Sequence, residues 1–321
     1  MNYNMERRKF IKTSALFATA SSLPLNSVFA INAAERKFKL ALNPGIIGVK
    51  ANFSETLNYA IKYGYEAISP FTDEVMKSYS DNQLNEHLAK MKEHTISYDS
   101  TNIPVEYRKD KTRFNDDFKQ LKTFCETMEK QGATRMNTWI ISSHNELTYN
   151  ENMKEHAYRL GECAKVMKDH GIKLGLEYLG MRTMMTGGRY PFIGSMKEGK
   201  ELINEIGESN VGFVLDSFHW FTANDTLEDI RSLKPEEIIT CDINDARAGF
   251  TRIEQRDGKR ELPMATGEIN IKEFLQGILD IGYDGPVRTE PFNQVLNDME
   301  NEEALQVNMA AIKKALATVG V

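Results

Sequence analysis

From residue 37 onward the chain alternates between two hydrophobic periods. Short runs rich in β-branched, aromatic and other apolar residues predict eight strands: FKLALN (38–43), YEAISPF (65–71), TISYDST (95–101), RMNTWII (135–141), KLGLEYL (173–179), VGFVLDSF (211–218), IITCDIND (238–245) and GPVRTEPF (285–292). Between them, apolar positions recur at three- and four-residue intervals. FSETLNYAIKYG reads as a helix with Ser54 as N-cap and Gly64 as its stop. DNQLNEHLAKMKEH starts on Asp81 and lines up Leu84, Leu88 and Met91. FNDDFKQLKTFCETMEKQG does the same with Phe118, Leu121, Phe124, Cys125 and Met128. Further helical patterns follow each later strand, ending with EEALQVNMAAIKKALATVG.

Strands alternating with helices predict a parallel sheet of βαβ units. Eight units in this length predict one closed (β/α)₈ barrel over residues 31–321, in the α/β class. An open doubly wound sheet is the competing arrangement. It would place a glycine-rich phosphate turn after the first strand, and no GxGxxG stands there.

The first thirty residues fall outside this pattern. MNYNMERRKFIKTSALFATASSLPLNSVFA has a basic start, an apolar middle and a small-residue end, the layout of an export signal. Arg7-Arg8 followed by Lys9-Phe10-Ile11-Lys12 resembles the twin-arginine pattern, with Glu6 where Ser or Thr is usual. The expectation is a periplasmic or exported protein with no stable membrane insertion after signal removal. Beyond the signal, 36 basic residues face 45 acidic ones, −9 against −6 for the full chain. There is no basic stripe, which argues against a nucleic-acid partner. Cys125, Cys163 and Cys241 are odd in number and widely spaced, so buried thiols are expected rather than a disulfide framework.

In a parallel barrel the chemistry collects at the C-terminal ends of the strands. There the fifth to eighth predicted strands each offer a carboxylate: Glu177, Asp216, Asp242 and Glu290. Neighbouring strands lie about 4.8 Å apart, so these groups can converge. A divalent cation would relieve their mutual repulsion, and oxygen-rich sets suit Mn²⁺ or Mg²⁺. Plainer roles stand beside this one. Glu177 can pair with a buried arginine, Asp216 can cap the following turn, Asp242 can pair with Arg288, Glu290 can sit on the rim, and His219 can be an ordinary loop histidine.

GLE on the fifth strand, LDxFH on the sixth, IND on the seventh and EPF on the eighth resemble the xylose-isomerase-like TIM barrels, a family of sugar isomerases, epimerases and dehydratases. The later segment from Arg260-Glu261-Leu262-Pro263 to Gly267 resembles that family's R-x-x-P-G-x-G stretch, with Met264 in place of its glycine. The resemblance implies a metal held by Glu177, Asp216, Asp242 and Glu290, with Asp242 where the family has histidine and Asp245 matching its trailing aspartate. That exchange tilts the expected metal towards Mn²⁺ or Mg²⁺ rather than Zn²⁺. It also implies substrate contacts from His219 and Arg260. Trp139 stands near a strand end and can stack on a sugar face, as can Trp220; a core position is the alternative for each. The glycine-rich stretch from Leu179 to Phe192 is expected to shape the pocket.

The expected activity is isomerisation or epimerisation of an unphosphorylated sugar or keto-sugar, with Glu177 and Glu290 exchanging a proton beside a carbonyl. Two alternatives stay open: a lyase or dehydratase cleaving 3-keto-glycosides or inositol-type substrates by β-elimination, and a non-catalytic sugar-binding barrel. The partner is a small-molecule carbohydrate, and nothing opposes a homo-oligomer.

Overall fold

The computed structural model describes residues 36–72 and 76–321. The export-signal reading lies outside the described residues. The strands are β1 (Lys39–Leu42), β2 (Ala67–Ile68), β3 (Ser97–Tyr98), β4 (Thr101–Asn102), β5 (Arg135–Ile140), β6 (Ser143–His144), β7 (Lys173–Tyr178), β8 (Tyr190–Pro191), β9 (Val211–Asp216), β10 (Ile238–Asp242) and β11 (Pro286–Arg288). All nine strands of the main sheet run parallel, in the order β3-β2-β1-β11-β10-β9-β7-β5-β4. The two ends of that list are one stretch of chain. β3 pairs with β2, and β4, two residues later, pairs with β5. The sheet therefore closes on itself, and β3 with β4 forms a single stave of an eight-staved barrel.

Burial explains why the strands read as continuous apolar runs. Every residue of β9 and of β10 is buried, because helices cover the outside and side chains fill the inside. Gly175 is needed at one such crowded point. A Cβ there would lie 2.9 Å from Val214 Cγ2 and 3.1 Å from Ile239 Cβ.

The helices lie largely where the pattern places them, but several start earlier or on a different cap: the third begins at Lys111, three residues before Phe114. The first is Phe53–Tyr63, and its N-cap is Asn52, not Ser54. Asn52 and Glu55 form a reciprocal capping box, and Gly64 closes the helix at φ 80°. Asp81–Glu93 is capped by Ser80. Lys111–Gln131, Tyr149–Asp169, Met196–Ile206, Ile271–Asp280 and Asn301–Ala317 complete the outer layer. Cys125, Cys163 and Cys241 are buried thiols. Trp220 is core, 5% exposed and edge-on to Phe274. Among the described residues no helix is long and apolar enough to cross a membrane.

The Leu179–Phe192 stretch is tied down. It forms a short helix, Arg182–Met185, and then β8, which pairs antiparallel with β6 beside the barrel mouth.

Candidate active site

Register sets the layout of the site. β9 and β10 pair with Asp216 opposite Asp242, and β10 and β11 pair with Asp242 opposite Arg288. On the other side β5 and β7 set Trp139 opposite Glu177. The strand ends thus bring carboxylates and a guanidinium to one level of the barrel mouth.

Arg288 claims Asp242. Its Nε donates to Asp242 Oδ1 at 2.7 Å and its Nη2 to Oδ2 at 3.3 Å. Its Nη1 reaches Asp99 Oδ2 at 2.9 Å and Ser100 Oγ at 3.0 Å. Both partners are almost wholly buried. The plainer pairing of Asp242 with Arg288 is therefore the one the fold adopts, and Asp242 stands apart from the expected ligand set. A fork-to-carboxylate pair of this kind is strong and directional.

Arg260 occupies the centre of the remaining carboxylates. Nη1 donates to Asp216 Oδ2 at 2.6 Å and to Glu290 Oε2 at 3.0 Å. Nη2 donates to Asp257 Oδ1 and to His219 Nε2, the latter at 3.0 Å. An arginine can only donate, so Nε2 of His219 is the acceptor nitrogen and Nδ1 carries the proton. The 3.4 Å approach of the Gly180 amide to Nδ1 is then a contact, not a hydrogen bond. Burial and the Arg260 charge push His219 down to about 4, which keeps it neutral. His219 is fully buried. It braces Arg260 and does not line the mouth cavity.

The expected group thus separates into parts. Glu177, Asp216 and His219 present ligand atoms that lie within 4.8 Å of one another, a set able to hold a divalent metal. One imidazole nitrogen and two carboxylates make a chemically suitable donor set, with Glu290 adjacent through Arg260. Asp242 stands outside that set, and both of its oxygens face Arg288. The same lone pairs on Asp216 and His219 that would bind a cation are engaged by Arg260, so ion and guanidinium compete for them.

Asp216 also accepts from the Phe218 amide at 2.6 Å, capping the short helix Ser217–Ala223. The capping role and the site role coexist. Two further residues organise the mouth and were not singled out by the sequence. Asn244 donates from Nδ2 to Asp216 Oδ1 at 3.2 Å and accepts the Glu290 amide on Oδ1 at 2.7 Å. Asp257 belongs to the loop between β10 and the Arg260 segment and grips the outer edge of Arg260. Asp245 proves architectural: its carboxylate accepts the amides of Ala246, Thr266, Gly267 and Ile269.

Electrostatics follow from this crowding. Burial, then the charges of Glu290 and Asp216, hold Glu177 well above the ordinary glutamate range. Burial pushes Glu290 up to about 8, against the pull of Arg260. Burial raises Asp242 to about 6 even with Arg288 beside it. For Asp257, burial is outweighed by the charge and hydrogen bond of Arg260, and its carboxyl lies below its usual value.

Glu177, Glu290, Arg260 and Asp257 line a cavity of about 310 Å³. Trp139 and Phe292 form its aromatic walls. Trp139 is 40% exposed and is backed by the Arg108 guanidinium, 3.9 Å from the ring centroid. Phe292 sits at φ 41°, a left-handed backbone conformation uncommon for an aromatic residue and typical of strained functional loops.

The sequence profile of the xylose isomerase-like TIM barrels matches residues 57–315. An inosose isomerase of Bacillus velezensis is 22% identical over 273 residues, covering 84% of this chain and 93% of its own. A crystal structure of the IOLI protein with a bound zinc atom superposes with a TM-score of 0.73 at 21% identity, covering 88% of this chain and 99% of that one. D-psicose 3-epimerase from Clostridium cellulolyticum H10, solved with D-tagatose, gives a TM-score of 0.66 at 18% identity, over 84% of this chain and 94% of that one.

Proposed function

The chain belongs to the xylose isomerase-like TIM-barrel family, and from that membership and the chemistry of its mouth we propose that it is a metal-dependent isomerase or epimerase of an unphosphorylated sugar or keto-sugar. The observation that carries the reading is that Glu177 and Glu290 line one cavity with Arg260, beside the metal-competent set of Glu177, Asp216 and His219, with both glutamate carboxyls held above the ordinary range. The inosose isomerase relative supports the reaction class.

A carbonyl beside a hydroxyl-bearing carbon needs a base to take the α-proton and an acid to return it. Half-buried glutamates whose carboxyls are held above the ordinary range, Glu177 by burial and the Glu290 and Asp216 charges and Glu290 by burial, suit both tasks. Glu177 and Glu290 therefore exchange the proton. Return to the opposite face gives epimerisation, and return to the adjacent carbon gives isomerisation. Arg260, gripped at its outer edge by Asp257, turns the N–H donors that a cation would free from Asp216 and His219 towards the substrate oxygens. Trp139 and Phe292 provide faces for the C–H side of a sugar ring. Glu177, Asp216 and His219 would hold a divalent cation, which would supply Lewis-acid polarisation of the carbonyl. The predominance of oxygen donors favours Mn²⁺ or Mg²⁺ over Zn²⁺.

The test is exchange in D₂O with Mn²⁺ and a panel of free sugars and keto-sugars, read by mass and NMR. Deuterium enters carbon-bound positions with the wild-type protein. Glu177→Gln and Glu290→Gln each lower the exchange rate at least about 10³-fold, in the range of a lost acid or base, with circular dichroism unchanged. Most of the rate surviving in either variant would remove that glutamate from the proton path. Release of an alcohol or of water from the substrate, in place of exchange alone, would favour the β-elimination reading.

A further inference from the structure

A second cavity of about 390 Å³ opens beside the first, over the ends of β1 to β4. The two share Asn102, Asn137, Arg288 and Glu290 on their walls. The mouth is therefore one two-lobed trough with those four residues at the waist. Small-ligand pockets run from about 300 to 1,000 Å³, so each lobe by itself suits one small ring and the trough suits two.

The second lobe has the lining of a carbohydrate subsite. Hydroxyl and amide groups come from Asn43, Thr56, Ser69 and Thr101, with Phe53 as the aromatic face. Ser69 lines this lobe, and its Oγ, turned away from the cavity space, has no hydrogen-bond partner; rotation of that short side chain gives a ligand hydroxyl a donor and an acceptor. The charged groups on this lobe are Arg288 and Glu290 at the waist. Arg288 is already committed to Asp242, Asp99 and Ser100. A phosphate or carboxylate would meet no unpaired cation there, whereas a neutral polyol meets donors and acceptors throughout.

We propose that the second lobe is a subsite for a second sugar ring, so that the substrate is a reducing disaccharide or a keto-glycoside, which keeps a carbonyl on the reacting ring and whose linkage lies at the waist beside Glu290. This rests on the sugar reading of the first lobe. It deepens that reading by assigning the substrate class: two joined neutral rings, the reacting one between Trp139 and Phe292 and the other over β1 to β4.

Calorimetric titration with Mn²⁺ present compares glucose and fructose with maltose and cellobiose. At least one disaccharide binds at least tenfold tighter than either free hexose. Asn43→Trp fills the second lobe, and Ser69→Ala deletes the unpartnered hydroxyl without adding bulk. The disaccharide-to-hexose affinity ratio falls at least tenfold in the first and severalfold in the second. Ser69→Ala keeps the test intact should the tryptophan variant not fold. Disaccharides binding no tighter than hexoses, or a ratio unmoved by both substitutions, would overturn the subsite while leaving the sugar reading in place. Binding of neither class would bring down the sugar reading, and the subsite with it.

Discussion

Arg260 decides how the site meets a metal. Its guanidinium touches Asp216, Glu290, Asp257 and His219 at once. A buried arginine cannot shed its proton to make way, so a cation must displace its contacts to reach Asp216 and the His219 lone pair. Arg260→Gln therefore raises Mn²⁺ affinity about tenfold by calorimetry, while weakening substrate binding through the lost donors. An unchanged or lower metal affinity in that variant would mean that Arg260 and the ion do not compete. The four rim carboxylates were legible in the sequence because each ends a strand of recognisable period. The partners that divide them were not. Whether Asp242 faces Arg288 depends on cross-strand register, which periodicity leaves open. Asp257 lies in a loop with no period, and Asn244 looks like any polar residue after a strand until both of its hydrogen bonds are known.

At the scale of elements, the fully buried strands β9 and β10 announce themselves as apolar runs, and their predicted spans were too long only at the rim. VGFVLDSF stops being strand at Asp216, because that carboxylate caps the helix starting at Ser217. The stave at residues 97–102 is split in two, since it pairs with different neighbours above and below Asp99 and Ser100. Met264 shows a sequence departure with a structural cost. It stands where the family motif has glycine and adopts φ 66°, a left-handed conformation costing a side-chain-bearing residue about 1–2 kcal/mol. Glycine relieves that but loses about 0.5–1 kcal/mol of chain entropy. Met264→Gly is expected to stabilise by about 0.5–1 kcal/mol, which in a chain of this size raises Tm by about 1–3 °C. A lower Tm by scanning calorimetry would show that the Met264 side chain contributes more through packing than its backbone loses.

For the whole molecule, the mouth is a store of buried and half-buried negative charge inside an already acidic chain. Asp99, Glu177, Asp216, Asp242, Asp257 and Glu290 face the guanidinium charges of Arg260 and Arg288. Without a divalent ion, protons make up part of the difference, and Glu290 shows the consequence. Its folded pKa of about 8 lies above the 4.5 of a free glutamate, so the folded state holds that proton more tightly than the unfolded chain does. The associated stability is complete below pH 4.5 and is lost as pH rises towards 8. In chelator, the urea midpoint of the wild-type protein therefore falls between pH 5 and pH 8, by an amount corresponding to a few kcal/mol. Glu290→Gln, which cannot ionise, flattens that slope. Mn²⁺ flattens it too, because a bound cation substitutes for the protons, and its affinity rises over the same interval as it releases them. A midpoint that stays level in chelator across this range, or one that Mn²⁺ does not lift at pH 8, would mean that the carboxylates are neutralised by Arg260 and Arg288 alone and that the mouth has no need of a metal.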